Sequence, residues 1–234
     1  MRGLVISGSA IRPALTLQQV LANNLANSSV SGFRADRTAF HNLLTAQTGS
    51  LTEASGASLT MQVDETPGAL ETTGEPLHLA LIGHGYFTVA TEEGEKYTRS
   101  GDFFLGPDGT IQTYGGAELQ TESGPIMVSS ASQVVVESSG EVLVDGQSAG
   151  RLRLVQFKDP TSLSHAGGGL LSSDAEPEEA SGLQVVQGRL EGSNVSPIHT
   201  MTEMITILRF LEANQKAFQA QDQSLDGLMR WAMQ

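Results

Sequence analysis

The side chains able to do chemistry in this 234-residue chain are few and scattered. Its five histidines, His41, His78, His84, His165 and His199, include no His-x-His or His-x-x-x-His pair of the kind that holds a metal. His78 and His84 are close enough in sequence to meet across a turn, but isolated histidines satisfied by hydrogen bonds are the preferred reading. There is no cysteine, which excludes disulfides, thiol nucleophiles and Cys-based zinc sites. Gly83-His84-Gly85 lacks the third glycine of a dinucleotide loop, and no Gly-Lys-Ser/Thr follows Gly167-Gly168-Gly169, so neither binds a nucleotide phosphate. Glu92-Glu93-Glu95 and Glu176-Glu178-Glu179 sit in turn-like sequence and read as solvated surface. General acid–base work needs carboxylates held in a cleft. No catalytic residue, cofactor or metal ligand is assigned, and the chain reads as a non-enzyme.

The chemistry that the sequence does encode is apolar and lies at the C-terminus. From Ser196 to Ala232, residues Met201, Met204, Leu208, Leu211, Phe218, Leu225, Met229 and Ala232 recur on alternating steps of three and four. That is the a/d seam of a coiled coil. Gln215 and Asp222 occupy two positions of the same seam, and polar groups there select register or partner at a cost in stability. Ser196 suits the N-cap and Pro197 the first helical position. At about 1.5 Å per residue the helix is a rod of roughly 50 Å, and its stripe must be covered.

The elements that could cover it come earlier. Residues 12–26 read as a helix starting near Pro13, with Ala14, Leu17, Leu21 and Leu25 on one face. The run Asn23-Asn24-Leu25-Ala26-Asn27 and the serines after it end that helix. At roughly 22 Å it covers less than half of the C-terminal stripe, which leaves the remainder to the β-rich middle or to neighbouring copies of the chain. Residues 45–76 have no helical period and read as an extended linker with at most short strands. From Leu77 short β-type runs alternate with turns, and Asp145-Gly146 predicts a hairpin. Residues 164–182 read as a surface loop, and Leu183 to Leu190 as a last strand. The expected fold is α+β: N- and C-terminal helices (1–44 plus 191–234) form a discontinuous coiled-coil layer for assembly. A central, mostly antiparallel β domain (77–190) follows the linker 45–76.

Charge narrows the partners. Residues 51–189 carry 20 acidic against 6 basic side chains, whereas residues 1–50 carry a net charge of +3. So acidic a surface argues against nucleic acid, which needs a basic one. No apolar run approaches the length of a membrane span, so direct membrane insertion is not expected. Leu4-Val5-Ile6 is too short for the core of a cleaved signal peptide.

Several stretches carry a resemblance. Ala22 to Asn27 followed by Gly32-Phe33-Arg34, Thr73-Gly74-Glu75-Pro76-Leu77 running on to Phe87, Tyr97-Thr98-Arg99-Ser100-Gly101-Asp102-Phe103, and Glu191-Gly192-Ser193-Asn194-Val195 are similar to motifs of the flagellar rod and hook family of axial proteins, in the family's order. The short length, Glu191 to Val195 with Pro197, and Gly150 to Val155 resemble the proximal-rod branch. Ala10-Ile11 stands where Gly-Met is usual, and His78 replaces a common acidic residue. The resemblance implies a structural subunit exported without a cleaved signal through the flagellar type III export apparatus. It implies polymerisation with copies of itself and with other proximal and distal rod proteins, in the periplasm-spanning rod that transmits torque. It further implies intersubunit packing by Leu17, Leu21, Leu25, Leu208, Leu211 and Phe218, and backbone hydrogen bonds from Asn23, Asn24 and Asn27. A distal rod or hook subunit is the nearest alternative. From a different class, the alternative is an acidic β-domain binding module with a helical dimerisation tail.

Overall fold

The computed structural model describes residues 2–41, 58–129, 132–180 and 182–232; within the two helices, side chains are described for 12–26, 197–220 and 223. The chain divides into a helical unit (Met1–Ala26, Asp36–Met61, Ser196–Gln234) and a β unit (Asn27–Ala35, Gln62–Val195).

In the helical unit, α1 spans Arg2–Ala26 and α2 spans Pro197–Ala232. Helix α2 starts where Ser196 and Pro197 predict, and the Ser196 carbonyl accepts the Thr200 N–H at 3.0 Å. Helix α1 starts ten residues before the expected residue 12 and runs through Pro13. A proline inside a helix removes one backbone hydrogen bond and costs about 3 kcal/mol, which is why sequence alone puts it at a helix start. Packing of α1 on α2 offsets that cost. The strand Asp36–His41 pairs with Ser58–Val63, and α1 also packs on the first of these.

The β unit is built on one large sheet. Its strands run in the order Leu163–Gly167, Leu170–Ser173, Gly94–Thr98, Tyr86–Thr91, Glu118–Thr121, Ile111–Thr113 and Phe103–Leu105. A three-stranded sheet (Val134–Val136, Glu141–Val144, Gln147–Arg151) stands beside it. Two strand pairs close the unit: Leu79–Ile82 with Gln184–Gln187, and Leu70–Thr72 with Arg189–Glu191. Every pairing whose register is described is antiparallel, so the chain is α+β with an antiparallel β unit. Alternation sets the inward face: Val134 and Val136 are buried while Val135 is exposed, as a half-buried strand demands. The core gathers Phe87, Val89, Phe103, Leu119, Val142 and Val185, with Phe87 and Phe103 edge to face at 5.3 Å.

Two local readings can be checked directly. Asp145 (φ 51°) and Gly146 (φ 80°) turn the hairpin in which Val144 faces Gln147, as that dipeptide predicts. The stretch 164–182, expected as a loop, instead contains a hairpin and the short strand Glu178-Glu179. Its glycine run supplies the turn, since Gly167, Gly168 and Gly169 all have positive φ, and the flanking Leu163 and Leu171 are buried. Glycine composition suggests a loop; two leucines that reach the core make it a sheet edge.

Gly101 is required for a different reason. A Cβ there would lie 1.5 Å from the Leu79 carbonyl oxygen, in fixed backbone. Gly101→Ala is expected to cost about 3 kcal/mol by overpacking, read as a lower urea midpoint of the full chain. An unchanged midpoint would show that the two backbone segments do not approach so closely.

Candidate functional site: a buried ion cluster and an open helix face

Three of the sequence stretches singled out above meet inside the β unit. Glu191 ends the last strand and is buried with Arg34 and Arg99. Its carboxylate accepts Arg34 Nη2–H at 2.7 Å and Arg99 Nε–H at 2.7 Å, and also the Gly68 N–H at 3.0 Å. Arg99 donates in addition to the carbonyls of Leu81 (2.8 Å), Gly83 (2.6 Å) and Gly85, and Arg34 to that of Thr66. Desolvation by burial pulls the Arg34 guanidinium below its usual pKa; the Glu191 charge acts in the opposite direction. The neighbouring backbone is too tight for side chains. A Cβ on Gly32 would sit 2.3 Å from the Arg99 carbonyl carbon, and one on Gly68 2.0 Å from the Gly192 oxygen. Asn194 completes the joint, accepting the Ala35 N–H at 2.7 Å and donating to the Asp64 and Thr66 carbonyls at 3.0 Å each. Sequence reading does not single out Arg34, Arg99 and Glu191 as a group. The available signal is that each is a charged residue one or two positions from a glycine within a separate motif.

In the helical unit Asn24 is buried and holds the Asp36 backbone from both sides, donating to its carbonyl and accepting its N–H, each at 2.9 Å. The amide thereby imitates one rung of a β-ladder between α1 and the strand after it. Asn23 is exposed, Asn27 half-buried, Leu21 buried, and Leu17 and Leu25 half-buried.

Helix α2 divides the expected seam. On its covered side lie buried Thr200 and half-buried Met204, Ile207, Leu211, Asn214 and Phe218, spaced four, three, four, three, four. The other half of the seam is open: Met201 is 50% and Leu208 42% exposed, with Ile198 at 81% and Ile205 at 51% beside them, and Gln215 is exposed too. A single helix can cover one stripe of another, so alternate seam positions stay in solvent. Asp222, Leu225 and Met229 are on α2, but their side chains lie outside the described residues.

The β unit also has a groove of 1130 Å³ that includes His78, Phe104, Tyr114, Val135 and Arg189. His78 reaches Asp102 at 3.2 Å through Nε2 and Thr73 at 2.9 Å through Nδ1, the outline of an acid–base relay. The Thr73 hydroxyl, however, donates to the Gly188 carbonyl (3.3 Å), so this chain of contacts ties three backbone segments together. Among the described residues no group of three or more metal-ligating side chains comes together, and no helix is long and apolar enough to cross a membrane.

A closed β unit together with a helix presenting an uncovered apolar stripe has the build of an assembly subunit. Comparison with known proteins gives that class a family. Residues 80–144 match the model described as flagellar hook protein FlgE/F/G D1 domain, and residues 186–230 that described as flagellar basal body rod FlgEFG protein C-terminal. The flagellar basal-body rod protein FlgF of Salmonella typhimurium is 34% identical over 92% of both chains. FlgF of Escherichia coli is 33% identical over 91% of both, and the rod protein FlgG of Bacillus subtilis 29% identical over 98% of both. The chain belongs to the flagellar basal-body rod protein family, a family of structural subunits.

Removing the Glu191 carboxylate would leave two buried guanidinium groups facing each other, and breaking such a cluster costs about 3–5 kcal/mol. Glu191→Gln is therefore expected to unfold the β unit at lower urea, with lost near-ultraviolet dichroism as the readout; a midpoint like that of the parent chain would contradict the cluster. Tyr86, in the adjoining hydrophobic cluster, gives a second test. Burial foremost, and then the Glu65 charge, push its phenol up to about 12. An unfolded tyrosine ionises near pH 10. Between about pH 10 and 12 the unfolded chain thus binds fewer protons than the folded one, and stability falls as pH rises. Tyr86→Phe is expected to flatten that part of the stability curve; identical slopes for the two chains would refute the assignment.

Proposed function

We propose that this chain is a subunit of the proximal flagellar rod, polymerising through α1 and α2 into the axial shaft that carries torque from motor to hook across the periplasm. The observation that carries the reading is the exposed apolar stripe of α2, with Ile198, Met201, Ile205 and Leu208 each at least 42% exposed. Leaving such side chains in water forgoes about 1.5–3 kcal/mol apiece. Neighbouring helices in a polymer recover that free energy. In this reading the terminal helices of many copies form the discontinuous coiled-coil layer. Leu17, Leu21, Leu25, Met204, Leu211 and Phe218 hold the pair α1 and α2, while Met201, Leu208 and Gln215 face neighbours. By their spacing in the sequence, Asp222, Leu225 and Met229 are assigned the same assembly role. Glu191 to Val195 with Pro197, and Gly150 to Val155, favour the proximal position over the distal rod or hook. Partners are copies of the chain, other rod proteins and the type III export apparatus, with no cofactor and no catalysis.

Leu208→Asp places a charge in the open stripe of α2 and leaves the sequence of the β unit unchanged. Loss of rod assembly and of swimming is expected, with β-unit stability within about 0.5 kcal/mol of the parent, as for other surface changes. Normal swimming would remove this stripe from assembly.

A further inference from the structure

The open stripe of α2 has a counterpart on α1 of the same chain. Arg12, Leu15, Gln19, Ala22 and Ala26 are all exposed and recur on steps of three, four, three and four. The open stripe of α2 is Ile198, Met201, Ile205 and Leu208, and the next position on the same face is exposed Glu212. Its steps are three, four, three and four, over the same number of residues. The covered sides of the helices are different residues, so neither stripe belongs to the intrachain pair. That pair is antiparallel: the segments leaving α1 and entering α2 are joined by the Gly32 N–H to Glu191 carbonyl bond (2.6 Å) and by Asn194, and the helices pack together from there.

We propose that α1 of one copy docks, antiparallel, on the open stripe of α2 of the next. The register is set by charge at one end and by size at the other. Arg12 comes opposite Glu212, an opposite-charge pair at the edge of an apolar contact. Leu15, itself 46% exposed, meets Leu208, and the small Ala22 and Ala26 leave room for Met201 and Ile198. Gln19 is the one polar residue among the apolar positions. The reverse, parallel register puts Arg12 beside Ile198 and Ala26 beside Glu212, which leaves the charge unpaired and the isoleucine uncovered.

Because the two surfaces are different, the contact is head-to-tail and repeats from copy to copy, building a ring or a helix with all subunits pointing the same way. The neighbour's α1 also meets α2 in the same sense as the chain's own α1. Lateral neighbours therefore sit at nearly the same height, and α2 is sandwiched between two copies of α1.

The inference rests on the rod reading, and the two are separable by experiment. The chain has no cysteine, so Ala22→Cys and Met201→Cys can be carried on separate copies produced together in motile cells. A short bismaleimide applied to isolated basal bodies is expected to give a covalent dimer from these two chains. Ala22→Cys with Glu212→Cys, displaced by about 16 Å along the helix, is expected to give none. In parallel, Arg12→Glu and Glu212→Arg are each expected to lower the number of assembled rods at least tenfold, and the double exchange to restore them. Chains present in basal bodies without the 22–201 dimer, or single exchanges whose defects add with no rescue, would overturn the docking while leaving the rod reading in place. Absence of the parent chain from basal bodies would overturn both.

Discussion

The Glu191 carboxylate is removed from water between two guanidinium groups, and each of the three residues comes from a different part of the chain. None of them is tolerable alone: a buried charge without its partner costs several kcal/mol, far more than the marginal stability of a domain allows. The arrangement is consequently all-or-none. The segment after α1, the turn holding Arg99 and the end of the last strand must be present together. The tight glycines around them permit no other spacing, because Gly32, Gly68 and Gly101 each lie against backbone. Asn194 and the two short strand pairs then lock the same joint by hydrogen bonds.

The two units contrast in how they satisfy their side chains. The β unit contains its own core, with Phe87 and Val89 fully buried, and pairs its interior charges. Among the described residues of the helical unit, Ala14, Val20 and Leu21 are buried. Its two helices cover one stripe of each other, Asn24 fastens α1 to the following strand, and Ile198, Met201, Ile205 and Leu208 stay exposed. Such a division suits a subunit of a large assembly.

Much of this was readable in the residues. Ser196-Pro197 located the start of α2 because capping chemistry is local, and Asp145-Gly146 located its hairpin because few residues accept positive φ. Other features depended on contacts that no window of sequence contains. Pro13 hid the first third of α1, since a proline is normally a helix start unless packing offsets it. The glycine run at 167–169 suggested a loop, although buried Leu163 and Leu171 make it a strand edge. The heptad seam was legible as a spacing, but whether Met201 or Met204 would be covered depends on where α1 lies. The ion cluster was the least legible of all, because charge pairs between segments this far apart leave no periodic trace.

Distance along the chain has a temporal side as well. Asn194 grips Ala35, 159 positions earlier in the chain, and the late strand Gln184–Gln187 must pair with Leu79–Ile82 before the sheet is closed. Contacts of such high order form late and slowly. This latch stays open until nearly the whole chain is present. Because each interior charge is costly to bury without its partners, an incomplete polypeptide is kept from compacting.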